Sequence, residues 1–241
     1  MKYAIIGTGG TGGSLGFFLT KAGKDVTLIA RGKHLEAIRK NGLGMERLWD
    51  HKREMIPVKA CTVEEYSDTP DVILRHGKIL RVVFGARKPE EETEKMREIA
   101  KDMVCENIEV ILSEDIRRDA MVKFSYVSPI GVAGLYCNAT AADFQKDGEA
   151  REMFKALITE IVALSHAMGI EFQEDLVERN LKIVAPLAPE ATTSMQRDVY
   201  AGKKSEIDGL VYEIVRLGKE YGVPLPEYEK AAARFHEQGL K

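Results

Sequence analysis

The chain has 241 residues, 44% of them apolar, and carries 35 Lys and Arg against 38 Asp and Glu, a net charge of −3. This suffices for one large or two small packed domains, and the charge balance offers no broad basic surface for nucleic acid. No apolar run reaches the roughly 20 residues of a membrane helix, the chain enters a strand at once with no room for a signal peptide, and three scattered cysteines without a CxxC fit a reducing compartment, so the expectation is a cytoplasmic protein.

Residues 1–16, MKYAIIGTGGTGGSLG, predict a short apolar strand, a glycine turn and a helix. Gly7, Gly9 and Gly12 fall as G-x-G-x-x-G within the turn Gly7-Thr8-Gly9-Gly10. The first glycine suits a tight turn, the second a close approach of a pyrophosphate, and the third close packing of helix on strand. The phosphate would lie at the helix N-terminus, where free N–H groups and the dipole favour an anion. Leu15, Phe18, Leu19 and Ala22 recur at helical spacing over 11–22, and residues 25–30, DVTLIA, complete a βαβ unit. An NAD site places an acid at the end of this second strand for the ribose hydroxyl. Here the strand runs into Arg31-Gly32-Lys33, so the expected cofactor is NADP(H), with Arg31 at the 2′-phosphate.

Residues 33–41 read as a helix stopped by Gly42, and residues 44–60 as extended segments. A turn at 69–71 precedes a strand from 72. A second turn at 75–78 precedes a strand at 79–84. Residues 89–106 predict a helix with Pro89 at its first position and Glu90–Glu92 in its first turn, followed by a strand at 107–112. From Ser113, a plausible N-cap, the pattern is helical. A first helix carries Lys123 and is kinked or ended by Pro129. Thr140 to Asp143 fits a capping box. Further helices are expected near 153–167, 173–185, 206–221 and 226–238. The fold class is therefore an α/β, Rossmann-like N-terminal domain (1–112) followed by an all-α C-terminal domain (113–241).

Three features of the helical half carry chemistry. Lys123 lies in the apolar stretch Ala120–Phe124, where it either faces a site as an acid–base group or snorkels to water. Ser194 and Asp198 follow Thr192-Thr193, and Glu206 opens a later helix. Ser194 suits a substrate hydrogen bond, Asp198 the holding of the loop, and Glu206 the orientation of a lysine or the cofactor. The same residues serve equally as helix caps. The five histidines, His34 among them, show no metal spacing, and no metal is expected.

Together these residues resemble the ketopantoate reductase family, the 2-dehydropantoate 2-reductases of pantothenate (coenzyme A) biosynthesis. The resemblance rests on Gly7, Gly9, Gly12 and Arg31, on the helix lysine Lys123, and on the S-M-x-x-D-x-x-x-G-x-x-x-E-I pattern of Ser194, Met195, Asp198, Gly202, Glu206 and Ile207. It implies an NADP-dependent oxidoreductase that reduces ketopantoate to pantoate. Lys123 would be the general acid, Ser194 a substrate contact, and Glu206 a contact to the lysine or cofactor. The glycine turn (Gly7, Thr8, Gly9, Gly10, Gly12) with Arg31 would hold the cofactor phosphates. The substrate is a small anionic 2-oxo acid.

The chain departs from the family twice. The family places asparagines one and two turns after the lysine, where this chain has Val127 and Gly131. This favours another 2-oxo acid, unless Ser128 or Asn138 compensates. The second half of the cofactor domain also looks truncated near 73–79, because a further βαβ unit needs about 30 residues and has no room there. Such a loss would expose a sheet edge and apolar surface that a homodimer would cover. A non-catalytic nucleotide-binding remnant, or a regulatory NADP-binding module, stands as the alternative.

Overall fold

The computed structural model describes residues 1–47, 52–62, 73–75 and 79–240. The chain divides into two compact units, 1–116 and 117–241. The first is α/β and the second is helical.

In the first unit, β1 (Lys2–Ile6), α1 (Gly10–Lys21) and β2 (Asp25–Ile29) form the expected βαβ unit. β1 and β2 pair in parallel from Lys2 opposite Asp25 to Ile6 opposite Ile29. After α2 (Gly32–Asn41), β3 (Leu43–Arg47) and β4 (Lys52–Ile56) pair as an antiparallel hairpin, and β5 (Lys59–Cys61) joins β2 in parallel. β6 (Ile73–Arg75) runs parallel to β3. The turn expected at 69–71 lies outside the described residues, as does most of that at 75–78. β7 (Leu80–Phe84) and β8 (Ile108–Leu112) make a separate parallel pair joined through α3 (Glu94–Met103). Among the described strands the sheets are β1-β2-β5, β4-β3-β6 and β7-β8, so β1 has a partner on one side only.

A single apolar core nevertheless serves this unit. Phe17, Phe18 and Leu19 of α1, Leu28 of β2 and Ile38 of α2 pack with Met103 and Ile108 from the β7–α3–β8 segment. The Tyr3 hydroxyl donates to Asp102, and the Lys24 ammonium lies 3.2 Å from the same carboxylate, tying α3 to the first strand and the α1–β2 turn.

The helix expected over 89–106 is shorter. Pro89–Glu91 form a 3-10 turn, and α3 begins after Thr93, whose hydroxyl accepts from the Met96 N–H. The capping hydroxyl, and not the proline, sets the start, because it satisfies an N–H that the first turn leaves free.

In the second unit, α4 (Ile116–Tyr136) runs through Pro129 without ending there. The proline removes the N–H that would have bonded the Ser125 carbonyl. Asn180, wholly buried on α7 (Leu176–Val184), donates to that carbonyl at 2.9 Å instead. α5 (Ala141–Gln145) opens with the Thr140–Asp143 capping box. α6 (Glu149–Ala167) is the central helix, and Phe154, Leu157, Ile158 and Ile161 along it are fully buried. α8 (Ser194–Tyr200), a π-helical turn (Asp208–Tyr212), α9 (Glu213–Tyr221) and α10 (Pro226–Glu237) complete the unit. The single helix expected over 206–221 thus contains a π turn. Within it the Leu210 carbonyl accepts from the buried Ser128 hydroxyl of α4 at 2.6 Å, and a side chain entering the helical ladder in this way locally changes its winding. Glu160 of α6 receives the Glu227 and Tyr228 N–H groups at 2.7 and 3.0 Å and so caps α10 from a distance. No described helix is long and apolar enough to cross a membrane.

Candidate active site

The first part of the site is the glycine turn. Gly7 has φ +89°, in the left-handed region, and its N–H bonds the Ile29 carbonyl at 2.9 Å. A Cβ on Gly12 would lie 2.0 Å from the Gly7 carbonyl oxygen, so α1 crosses the turn at a distance only glycine permits. Gly9, the N-cap of α1, and Gly10, its first residue, are different: a Cβ on either would meet nothing within 4 Å. The ground over the helix N-terminus is therefore open, and a dinucleotide pyrophosphate fits it. Thr8 is buried, and its carbonyl accepts from His34 Nε2 at 2.9 Å. His34 stands in the first turn of α2. Its ring thereby fixes the glycine turn relative to the segment carrying Arg31.

Arg31 is the N-cap of α2, and Gly32 follows with φ +58°. Arg31 and Lys33 are exposed, and neither is paired to another described residue. With no acidic residue in the first turn of α2, two cations and a helix N-terminus converge there. The chain's residues fit the phosphates of a dinucleotide.

The second part lies in the helical unit. A cavity of about 300 Å³ is walled by Val127, Ile130 and Gly131 of α4, Phe144 of α5, the segment Thr192–Gln196, and Leu210 of the π turn. Lys123, Val127 and Gly131 follow at i, i+4, i+8, so the lysine continues the lining face of α4 one turn outward. Lys123 is exposed, and its ammonium has no hydrogen bond or ion pair among the described residues. Ser194 lines the cavity and is exposed at the start of α8. Glu206 is exposed one turn before Leu210, whose N–H bonds its carbonyl at 2.9 Å. Of the three, Ser194 lines the cavity, while Lys123 and Glu206 lie outside its lining, each four residues before one of the lining residues Val127 and Leu210.

Sequence reasoning missed what holds this arrangement. Gln196, nearly wholly buried, accepts from the Thr193 N–H and hydroxyl through Oε1 and donates to the Ala139 carbonyl at 2.8 Å. A Cβ on Gly134 would lie 2.6 Å from that Oε1, so the amide fits a notch in α4. The loop is held by Gln196, Thr193 and Arg197, whose guanidinium reaches the Thr192 carbonyl, while no side-chain bond from Asp198 contributes among the described residues. The T-x-x-Q spacing was the available signal. Neither suggested compensator faces the cavity as a free group. Ser128 is buried against Leu210 and the Tyr228 hydroxyl (2.6 Å), and Asn138 accepts from the Tyr200 hydroxyl at 2.7 Å. No group of three or more metal-ligating side chains occurs among the described residues.

Residues 3–111 match the family model of ketopantoate reductase PanE/ApbA, and residues 115–238 match that of its C-terminal domain. The 2-dehydropantoate 2-reductase of Mesorhizobium japonicum is 23% identical, with 97% of this chain and 96% of that protein covered. That alignment spans 317 positions, so at least 317 − 241 = 76 of them hold no residue of this chain. Because both proteins are covered nearly end to end, the shortfall is internal. Among solved structures, the PanE/ApbA family ketopantoate reductase from Ralstonia eutropha superposes with a TM-score of 0.82 at 20% identity, over 98% of this chain and 97% of that one. D-mandelate dehydrogenase with NADH and anilino(oxo)acetate gives 0.81 at 17% identity, over 98% and 97%. These two likenesses establish the fold. The two family models, which between them take in nearly the whole chain, establish more: this protein is a member of the ketopantoate reductase PanE/ApbA family of oxidoreductases.

Proposed function

We propose that this chain reduces a small anionic 2-oxo acid with NADPH, by the chemistry that turns ketopantoate into pantoate. The observation that carries the reading is the position of Lys123: an ammonium with no partner among the described residues, one helical turn before Val127 of a cavity that Ser194 lines. When bound, the reduced nicotinamide supplies hydride to the carbonyl carbon. The Lys123 ammonium attracts the substrate's carboxylate and donates a proton to the carbonyl oxygen as charge develops there. Ser194 hydrogen-bonds the substrate, and Glu206 orients Lys123 or meets the cofactor. The N–H groups at the start of α1, exposed by Gly9 and Gly10, bind the pyrophosphate, and Arg31 with Lys33 binds the 2′-phosphate. The fold neighbour holding NADH with an oxoacetate supports this chemistry on this architecture. The choice of NADPH rests on Arg31 and Lys33 at the start of α2, whose side chains have no partner among the described residues. A homodimer is part of the proposal, since it would cover the side of β1 that has no partner among the described strands.

A second reading, a nucleotide-binding protein without turnover, draws on the 76 or more absent positions and on β1 having one partner among the described strands. Glycine-turn contacts hold a pyrophosphate but do not aim a nicotinamide, and hydride transfer is sensitive to misplacement. Oxidation of NADPH by the purified protein with ketopantoate and other 2-oxo acids separates the two. The first reading expects turnover that Lys123→Ala removes. The second expects NADPH binding with no turnover on any acid.

A further inference from the structure

Resting on that reading, we infer that Tyr126 and Thr192 are specificity-determining residues: their side-chain hydroxyls bind a hydroxyl carried on the branched substituent of the 2-oxo acid, and so favour such an acid over its all-alkyl analogue. Both residues belong to the cavity wall and are half-buried. Neither hydroxyl has a partner among the described residues, and neither is sealed from solvent. Each is an accessible donor and acceptor that the described protein leaves unused. The Tyr126 ring stands edge-on to the fully buried Phe154, with 6.4 Å between ring centroids, and this contact holds it in place. Burial raises the phenol above its usual range, so at neutral pH it keeps the proton it donates. Thr192 is held through its main chain: its carbonyl accepts from the Arg197 guanidinium, which leaves the hydroxyl free.

The other polar side chains of the wall are occupied or exposed. Gln196 takes the two Thr193 donors on its oxygen and bonds the Ala139 carbonyl through its nitrogen. The Thr193 hydroxyl is in turn engaged with Gln196, and Ser194 is exposed. Ile130, Phe144 and Met195 are apolar and buried, and no charged side chain is among the described lining residues. This wall suits a methyl-bearing carbon frame with one hydroxyl on it. The methyl groups gain by leaving water, and the substituent hydroxyl exchanges its water for Tyr126 and Thr192. The all-alkyl analogue displaces the water from those two hydroxyls and returns no hydrogen bond. A volume of about 300 Å³ lies at the lower end of small-molecule pockets and admits such a substituent.

The direct test compares ketopantoate with trimethylpyruvate, which differs only by lacking the hydroxyl, in the parent protein and in Tyr126→Phe, Thr192→Val and the double variant. Each substitution keeps the side chain's shape and removes one hydroxyl. The parent should show a kcat/KM at least about 10-fold higher for ketopantoate, the worth of one or two neutral hydrogen bonds. Each single variant should lower the ketopantoate value by about 3- to 10-fold and leave that for trimethylpyruvate unchanged, and the double variant should treat the two acids alike. An unchanged trimethylpyruvate value also shows that the fold is kept. Equal or greater kcat/KM for trimethylpyruvate in the parent, or a preference for ketopantoate that survives in the double variant, overturns the inference and leaves the reductase reading intact. If neither acid is turned over, the reductase reading fails and calorimetric titration of the NADPH-saturated protein decides the inference alone. Tighter binding of ketopantoate than of trimethylpyruvate, lost in the double variant, upholds it. Any other result, including no binding of either acid, overturns it.

Discussion

Phe154 in the helical unit is 0% exposed, whereas Ile6 at the end of β1 in the α/β unit is 79% exposed. The contrast extends beyond these two side chains. In the helical unit, α6 is wrapped by neighbours, the gap left by Pro129 is filled by Asn180, and the start of α10 is capped by Glu160 from another helix. In the α/β unit, the described strands fall into three separate sheets, and Val83 and Ile111, directly paired across β7 and β8, are both exposed. Parallel strands are ordinarily covered on both faces. The helical half has a closed core, whereas the described part of the α/β half leaves apolar strand residues such as Ile6, Val83 and Ile111 exposed.

The largest expected effect tests the chemistry of the closed half. Lys123→Ala should lower kcat by about 100-fold or more, the size of a lost general acid, with NADPH affinity unchanged because the lysine lies outside the glycine-turn segment. Equal activity of the variant would remove Lys123 from the mechanism. Next comes the packing contrast. Phe154→Ala should cost about 3–5 kcal/mol in urea unfolding, while Val83→Thr on the open strand pair should change stability by no more than about 0.5 kcal/mol. Comparable costs would mean that the β7–β8 face is covered in solution, as a dimer would cover it. Arg31→Ala should weaken NADPH binding by about 10-fold or more and leave NADH binding nearly unchanged, since the charge-assisted bonds at stake belong to the 2′-phosphate. Equal losses for both cofactors would place Arg31 elsewhere. Asn180→Ala strands the Ser125 carbonyl and should cost about 1–3 kcal/mol.

Much of this was legible in the sequence because it is local. The glycine spacing, the apolar stripes of α6 and α9, the Thr140 capping box and the cations after β2 each lie within one or two turns of chain. What escaped depends on contacts between distant residues. The bond from His34 to the Thr8 carbonyl, the fit of Gln196 against Gly134, and the partners that lock Ser128 all span separations no periodicity encodes. Pro129 read as a kink or an end of the helix because the compensating Asn180 lies 55 positions from the carbonyl it bonds. The π turn near Leu210 was invisible for the same reason.

The smallest expected effect is acid sensitivity, present in both halves. The Thr140 N–H, then Lys146, hold the Asp143 carboxyl below its usual range, and the Tyr3 hydroxyl, then Lys24, do so for Asp102. Both native values are lowered, so their stabilisation is fully present above the unfolded value of about 3.9 and is lost as pH falls through the native ones. Asp143→Asn and Asp102→Asn should each flatten the fall in stability measured below about pH 4.

The measurement that bears most directly on the account is steady-state NADPH consumption with trimethylpyruvate and ketopantoate by the parent protein and by Lys123→Ala, at matched, confirmed NADPH saturation. The account predicts turnover by the parent that the variant loses by about 100-fold or more while still binding NADPH. Turnover that survives in the variant, or a folded, NADPH-saturated parent that consumes neither acid, would contradict it.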